Sequence, residues 1–275
     1  MNTAAARRAW RRLEPVHGMI YFVPEASSRY TKLGLTGMSG YFTSRSAPFG
    51  RASAELVIAT FYNFCPTLVR QSLHDAWTIV SPEQVLQARY EAAEEALRRA
   101  GLHELPDLDQ TLALARRAAE AACLHPQGRP LFAAHATLPW PDEPLMQLWH
   151  AQTLLREFRG DGHVAMLLAE GLTGLEALVL HAASGTVPTP FLKISRAWPE
   201  EDWAATEAGL RERGLLDGDT LTEAGQALRR HIEDRTDALA MPAYEALGED
   251  GCERLAELAR PFGRRVVDAG LLGLS

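Results

Sequence analysis

The sequence predicts a mainly α-helical protein with one very short β-hairpin. Three observations predict it. Apolar residues recur every three to four positions over most of the chain. Ser, Thr and Asp caps and closing glycines bracket those runs. The one stretch with strand character, LLDGDTLT at residues 215–222, holds no more than two short strands around an Asp-Gly-Asp turn. The chain has 275 residues, 47% of them hydrophobic, enough for one large domain or two ordinary ones. No run approaches the roughly 20 uninterrupted apolar residues of a membrane span.

Each element follows in order. Trp10, Leu13, His17, Ile20 and Pro24 share one apolar face of a first helix, which Pro15 is expected to kink or restart. TSRSAPFG, residues 43–50, reads as a loop. Ser53 caps a helix that runs to Pro66. Residues 81–102 form the clearest helix, with Ser81 as cap, Pro82 in the first turn and Gly101 at the end. Asp107 or Asp109 opens another, ending near His125. The connector ATLPWPDEP leads into LMQLWHAQTLLREFR, which Gly160 is expected to end, and Asp161 then caps a new helix through GHVAMLLAEGL.

From Thr173 the pattern tightens. Thr173 and Glu176 stand at capping-box spacing, and that helix closes at Gly185. A short helix covers residues 189–197, and PEEDWAATEAGLRERG forms the next up to Gly214. The hairpin follows, and Thr222 caps a long final helix. Three helices, a tight wing and a long helix are the order of a winged helix-turn-helix. The expected division is a helical domain over 1–171, a winged helix over 172–247 and a C-terminal helical segment over 248–275.

Charge bears on what such a unit touches. The net charge is −7, and residues 172–247 carry seven Lys or Arg against thirteen Asp or Glu, whereas residues 1–171 carry seventeen of each. The helix at the recognition position begins Glu200, Glu201, Asp202. Recognition helices usually present their N-terminal residues to base edges, and affinity for DNA depends on cations that neutralise phosphate. DNA is therefore an unfavoured partner, and the unit is expected to be a scaffold or a protein interface, with Trp198 and Trp203 as apolar anchors. Cys65, Cys123 and Cys252 are scattered, so neither a disulfide framework nor a cysteine-rich zinc site is indicated. MNTAAARRAWRRLEP lacks the apolar stretch of a secretion signal, and a cytoplasmic location is expected.

Candidate chemistry gathers in LEPVHGMIYFVPE. Glu14 and His17 stand three apart, the spacing with which helical bundles hold carboxylate-bridged iron, but no second such pair occurs. Tyr21 follows His17 by four and falls on the same face. In REFRGDGH, His163 is expected in the first turn of a helix with Arg159 and Asp161 beside it, where free N–H groups favour an anion and a neutral imidazole. Arg45 among aromatics and Asn63 in an apolar helix each need a partner; Glu14, Glu25 or a ligand would serve Arg45. The expected pocket is lined by Glu14, His17, Tyr21, Arg45, Asn63, Arg159, Asp161 and His163. His17 would be general base, Glu14 its orienting acid, His163 a second catalytic candidate, and Arg45 or Arg159 an anion clamp. Alternatively His17 or His163 holds a haem or a metal ion.

The stretch GLRERGLLD…LTEAGQALRRHI closely resembles the MarR-type winged helix. Together with LEPVHGMIYFVPE, GYFTSRSAPFG, TFYNFCP, LPWPDEP, LREFRGDGH and GLEALVLHAASG, it resembles a mostly actinobacterial family described as helix-turn-helix or MarR-like, over nearly the whole chain. That family's pattern carries a histidine where Phe158 stands here. The resemblance implies a helical domain joined to a winged helix and, by analogy with MarR proteins, a homodimer through the terminal helices. It implies no reaction. Two functions are therefore carried forward: a small-molecule- or cofactor-binding protein, an enzyme among the options, and a ligand-responsive regulator that binds DNA.

Overall fold

The computed structural model describes residues 3–273. The helices are α1 (Thr3–Gly18), α2 (Pro24–Lys32), α3 (Met38–Ser46), α4 (Ala54–Phe61), α5 (Pro66–Leu73), α6 (Ala76–Ile79), α7 (Pro82–Arg99), α8 (Leu108–Ala122), α9 (Pro130–Ala136), α10 (Pro144–Ala169), α11 (Gly174–Ala183), α12 (Thr189–Arg196), α13 (Glu200–Glu212), α14 (Glu223–Glu245) and α15 (Gly248–Asp268). Between α13 and α14 lies one antiparallel hairpin, β1 (Leu216–Asp217) and β2 (Thr220–Leu221), with Leu216 opposite Leu221. The chain is mainly helical, as the periodicity predicts. Among the described residues no single helix is long and apolar enough to cross a membrane.

Local chemistry accounts for the helix starts. Ser81 and Gln84 close a reciprocal capping box on α7, and Thr173 with Glu176 close another on α11. Ser53 caps α4 and Thr222 caps α14 through their hydroxyls.

Three expectations are corrected. Residues 43–50 are not a loop: α3 runs to Ser46, and a 3-10 turn over Ala47–Phe49 ends at Gly50, whose φ of 79° suits glycine. The buried Ser44 hydroxyl donates to the Tyr41 carbonyl one turn back, whereas the buried Thr43 hydroxyl has no hydrogen-bond partner among the described residues. Pro15 does not restart α1, which continues to Gly18, while Pro24 belongs to α2 as its first residue. Gly160 does not end α10, which passes unbroken through Arg159-Gly160-Asp161-Gly162-His163. A Cβ at Gly162 would meet Arg129 Nη1 at 3.1 Å and Leu239 Cβ at 3.4 Å. The glycine here permits close packing; it does not stop the helix.

Two apolar clusters hold the molecule together. The larger is built from α1 through the first half of α10 and is completed by Met241, Tyr244, Cys252, Leu255, Phe262 and Val266 of α14 and α15. The smaller gathers Met166, Leu172, Leu175, Leu178, Leu192, Trp203, Leu210, Leu216 and Ile232 around α11–α14. The long helices α10 and α14 contribute to both. A polar seam also joins them: the Tyr62 hydroxyl meets the Leu172 carbonyl, and Trp198 Nε1 donates to the Asn63 carbonyl at 3.0 Å.

The C-terminal helix is integral to the larger cluster, because α15 packs against α1. At their crossing, a methyl group on Gly263 would overlap the Arg12 carbonyl oxygen. Backbone cannot yield as a side chain can, so Gly263→Ala forces the helices apart. The expected loss is about 3 kcal/mol, read as a fall in Tm of roughly 6–12 °C. A variant that melts within a degree of the parent contradicts this packing.

Candidate functional site

The polar residues of LEPVHGMIYFVPE close over the larger core. His17 is fully buried in the last turn of α1, and a 3-10 turn over Met19–Tyr21 carries Tyr21 back towards it. The Tyr21 hydroxyl lies 2.9 Å from His17 Nε2, and Thr153 Oγ1 of α10 lies 2.8 Å from Nδ1. The Thr153 hydroxyl proton is already donated to the Trp149 carbonyl at 2.8 Å. Thr153 must therefore accept from Nδ1–H, leaving the Nε2 lone pair to accept from Tyr21. Burial, and then the nearby Arg89 charge, hold the imidazole well below its ordinary pKa, so it is neutral. Burial pushes the Tyr21 phenol up to about 12, so it is a donor. The His17 ring also stacks on Trp149, centroids 5.9 Å apart.

Three guanidiniums surround Tyr21: Arg156, Arg89 and Arg45 lie 5.4, 5.5 and 5.9 Å from its ring centroid. Arg45 of α3 donates to the Tyr41 hydroxyl at 3.1 Å and to Glu157 at 3.4 Å. Glu157 of α10 is buried, and Arg156 Nε stands 3.7 Å from its other oxygen. Burial alone would raise the Glu157 carboxyl, but Arg45 and Arg156 outweigh it and hold the group at about 2. His135 of α9 is buried beside Glu157 and Arg89, and burial lowers it to about 3. Tyr21, Tyr41, Arg45, Arg156 and Glu14 are only half-buried and form the rim, while His17, Arg89, His135 and Glu157 lie beneath.

The expected residues separate into groups. Glu14, His17, Tyr21 and Arg45 do come together. Glu14, however, does not orient His17: it turns to Arg156 and to Gln152 Nε2, the latter at 3.5 Å, and Thr153 fixes the imidazole instead. Arg45 pairs with Glu157, whereas Glu25 pairs with Arg99. Arg159 and His163 belong to a second cluster, facing α14. Arg159 reaches Glu233 and Asp237, each at 2.8 Å, and His163 Nδ1 lies 3.0 Å from the Thr236 hydroxyl. His163 sits inside α10, so the free N–H groups of a first turn are not available to it. Asp161 caps α9, accepting from the Phe132 amide at 2.9 Å, and burial pushes it up to about 7. Asn63 accepts from Arg196 at 3.3 Å in the seam between the clusters.

The metal-ion expectation finds no cluster of ligands. Among the described residues no three His, Cys, Asp or Glu side chains gather to hold a metal ion. Both ring nitrogens of His17 are engaged, so neither is open to a metal or a haem iron without losing Tyr21 or Thr153.

Sequence reasoning missed Arg89, Glu157, Thr153 and His135. The signals were present. Arg89 interrupts the apolar stripe Val85, Ala88, Ala92, Ala96 of α7, and Thr153, Glu157 and Asp161 repeat at i+4 along the buried face of α10.

The helix-hairpin unit is acidic at its tip. Glu200, Glu201 and Asp202 are exposed in the first turn of α13. Three of its cations are drawn onto its own acids: Lys193 to Glu200, Arg211 to Glu207 and Arg213 to Glu176. Trp203 is buried and Trp198 is held in the seam, so neither is the surface anchor expected of it; the exposed apolar residues are Phe191 and Ile194 of α12. A family model described as "Helix-turn-helix family" matches residues 6–273. No curated protein and no solved structure matches the chain.

Proposed function

The chain belongs to this helix-turn-helix family, and from that premise we propose that it binds a small molecule at the Tyr21 cluster, with the helix-turn-helix unit as scaffold. Residues 172–247 are read as a winged helix in which α13 holds the recognition position and β1–β2 the wing. The observation that carries the reading is the convergence on Tyr21 of three guanidiniums and a neutral, oriented imidazole from α1, α3, α7 and α10. Stability alone does not favour such a cluster, since replacing buried ion pairs by apolar side chains is often neutral or stabilising. Departures from a consistent apolar core are expected at functional sites. In this arrangement the Tyr21 hydroxyl donates to His17 Nε2 and keeps its proton, leaving its oxygen to accept from a ligand at the rim.

A thermal-shift screen of small polar molecules tests the binding. At least one compound should raise Tm by about 3 °C or more at saturation, and Tyr21→Phe should abolish the response. A screen in which no compound distinguishes the two proteins overturns the reading.

The second reading, a DNA-binding regulator, is favoured by the family itself and by exposed Arg230 and Arg235 on α14. Acid at the α13 tip opposes it. Random-sequence duplex should show no retardation at about 50 mM salt, where phosphate contacts are strongest. Retardation that weakens steeply with added salt would replace the scaffold by a regulator.

A further inference from the structure

The Tyr21 cluster contains a cation that the protein does not neutralise. Arg89 is 2% exposed, on the apolar stripe of α7. Among the described residues no carboxylate lies within ion-pair distance of it, and its Nε and Nη2 donate no hydrogen bond. Those two nitrogens form one edge of the guanidinium, the fork that meets a carboxylate through two parallel bonds. The Tyr30 and Tyr21 hydroxyls stand close to the guanidinium, and neither carries a charge that would balance it.

The neighbouring charges do not supply the missing anion. Around Tyr21, Arg45, Arg89 and Arg156 face only Glu14 and Glu157. Glu14 is engaged by Arg156, and Glu157 lies between Arg45 and Arg156. His17 and His135 are neutral. Arg29, beyond the cluster, is matched by Glu91 and Glu95. Asp161, one turn past Glu157, is directed at the α9 amides and is neighboured by its own cation, Arg129. One positive charge remains, and the buried edge without a hydrogen-bond partner belongs to Arg89. The guanidinium stands 5.5 Å from the Tyr21 ring centroid and 5.6 Å from that of Trp149, so the remaining surroundings are aromatic.

We propose that the Tyr21 cluster takes a small carboxylate, with the Nε–Nη2 edge of Arg89 as its anchor. A monocarboxylate restores charge balance, meets both unpartnered donors and places its organic part between the aromatic rings. This assignment rests on the reading of the Tyr21 cluster as a ligand site and adds the chemical class.

The test uses the full chain with sodium benzoate, sodium acetate, benzamide and inorganic phosphate at constant ionic strength. Tm and tryptophan fluorescence are the readouts, with Trp149→Phe identifying the responding indole. Benzoate should raise Tm saturably by about 3 °C or more, change the Trp149 signal, and act more strongly than acetate. Benzamide, its neutral counterpart, should do neither. Arg89→Met should abolish the response and raise the Tm of the ligand-free protein, because an unmatched buried charge is replaced by an apolar chain. Arg89→Lys, which retains charge but loses the fork, should weaken benzoate by about tenfold. No response to either carboxylate, a response that survives in Arg89→Met, or a stronger response to phosphate overturns the proposal. Benzamide binding that Tyr21→Phe abolishes would leave the cluster standing as a ligand site while the carboxylate assignment falls.

Discussion

Glu157→Ala is expected to lower the unfolding free energy by about 3–5 kcal/mol, the range for breaking a buried ion pair from one side. The cause lies in what is left behind. Glu157 is 1% exposed and is the carboxylate nearest to Arg45 as well as a partner of Arg156. Without it, three guanidiniums around Tyr21 face Glu14 alone. Glu157→Gln should cost less, because the amide oxygen still accepts from Arg45. The surface pair Glu55–Arg70 is the control: both side chains are more than half exposed, and Glu55→Ala should leave the transition unmoved. Urea unfolding followed by far-ultraviolet circular dichroism reads all three. A loss below about 1 kcal/mol for Glu157→Ala would show that the cluster is not held by this carboxylate.

That dependence on one residue explains why the site was only half legible in the sequence. Local chemistry could be read directly: the capping boxes at Ser81 and Thr173, the hydroxyl cap at Thr222 and the two-residue strands all follow from adjacent residues. The i to i+4 relation of His17 and Tyr21 is equally local. Long-range pairings are not. Arg45 lies among aromatics in the sequence, but its acid is 112 residues away on α10. Glu14 is next to His17 by spacing, yet α10 draws it to Arg156.

The error at Gly160 and Gly162 has the same origin. Glycine inside a helix costs about 1 kcal/mol relative to alanine, which is why the pair reads as a break. Here the absence of a Cβ lets Arg129 reach the carbonyls of Phe158 and Leu239 across α10. Tertiary packing outweighs local propensity, and the misplaced break carried His163 with it into a helix start that does not exist.

The second large effect is a loss of stability in mild acid, and its sign follows from the buried imidazoles. His17, His135, His150, His163 and His181 all titrate below the ordinary value of 6.5 in the folded protein, burial being the first cause in each, with His135 at about 3 and His150 at about 4. The unfolded chain takes up these protons near pH 6.5 while the folded chain does not. Stability is therefore fully present above 6.5 and is lost as pH falls towards the folded values. Asp161 opposes this. Its folded value is raised to about 7, so its contribution is present at low pH and disappears as pH rises through 7. Between pH 7 and 4.5 two imidazoles, His135 at about 3 and His150 at about 4, act against one carboxyl. At about 1.4 kcal/mol per pH unit for each group, the net loss from these three is on the order of 2 kcal/mol, and His17, lowered in the same direction, adds to it. Glu157, held at about 2, adds to the loss only below its ordinary value of 4.5. Urea midpoints at pH 7, 6, 5 and 4.5 should fall throughout. Asp161→Asn should make the fall steeper and raise stability at pH 8, because the opposing group is gone while an oxygen remains to accept from the Phe132 amide. A midpoint that stays level from pH 7 to 5 would mean that these histidines exchange protons with solvent in the folded state. His17 could not then be the neutral acceptor on which the Tyr21 site depends.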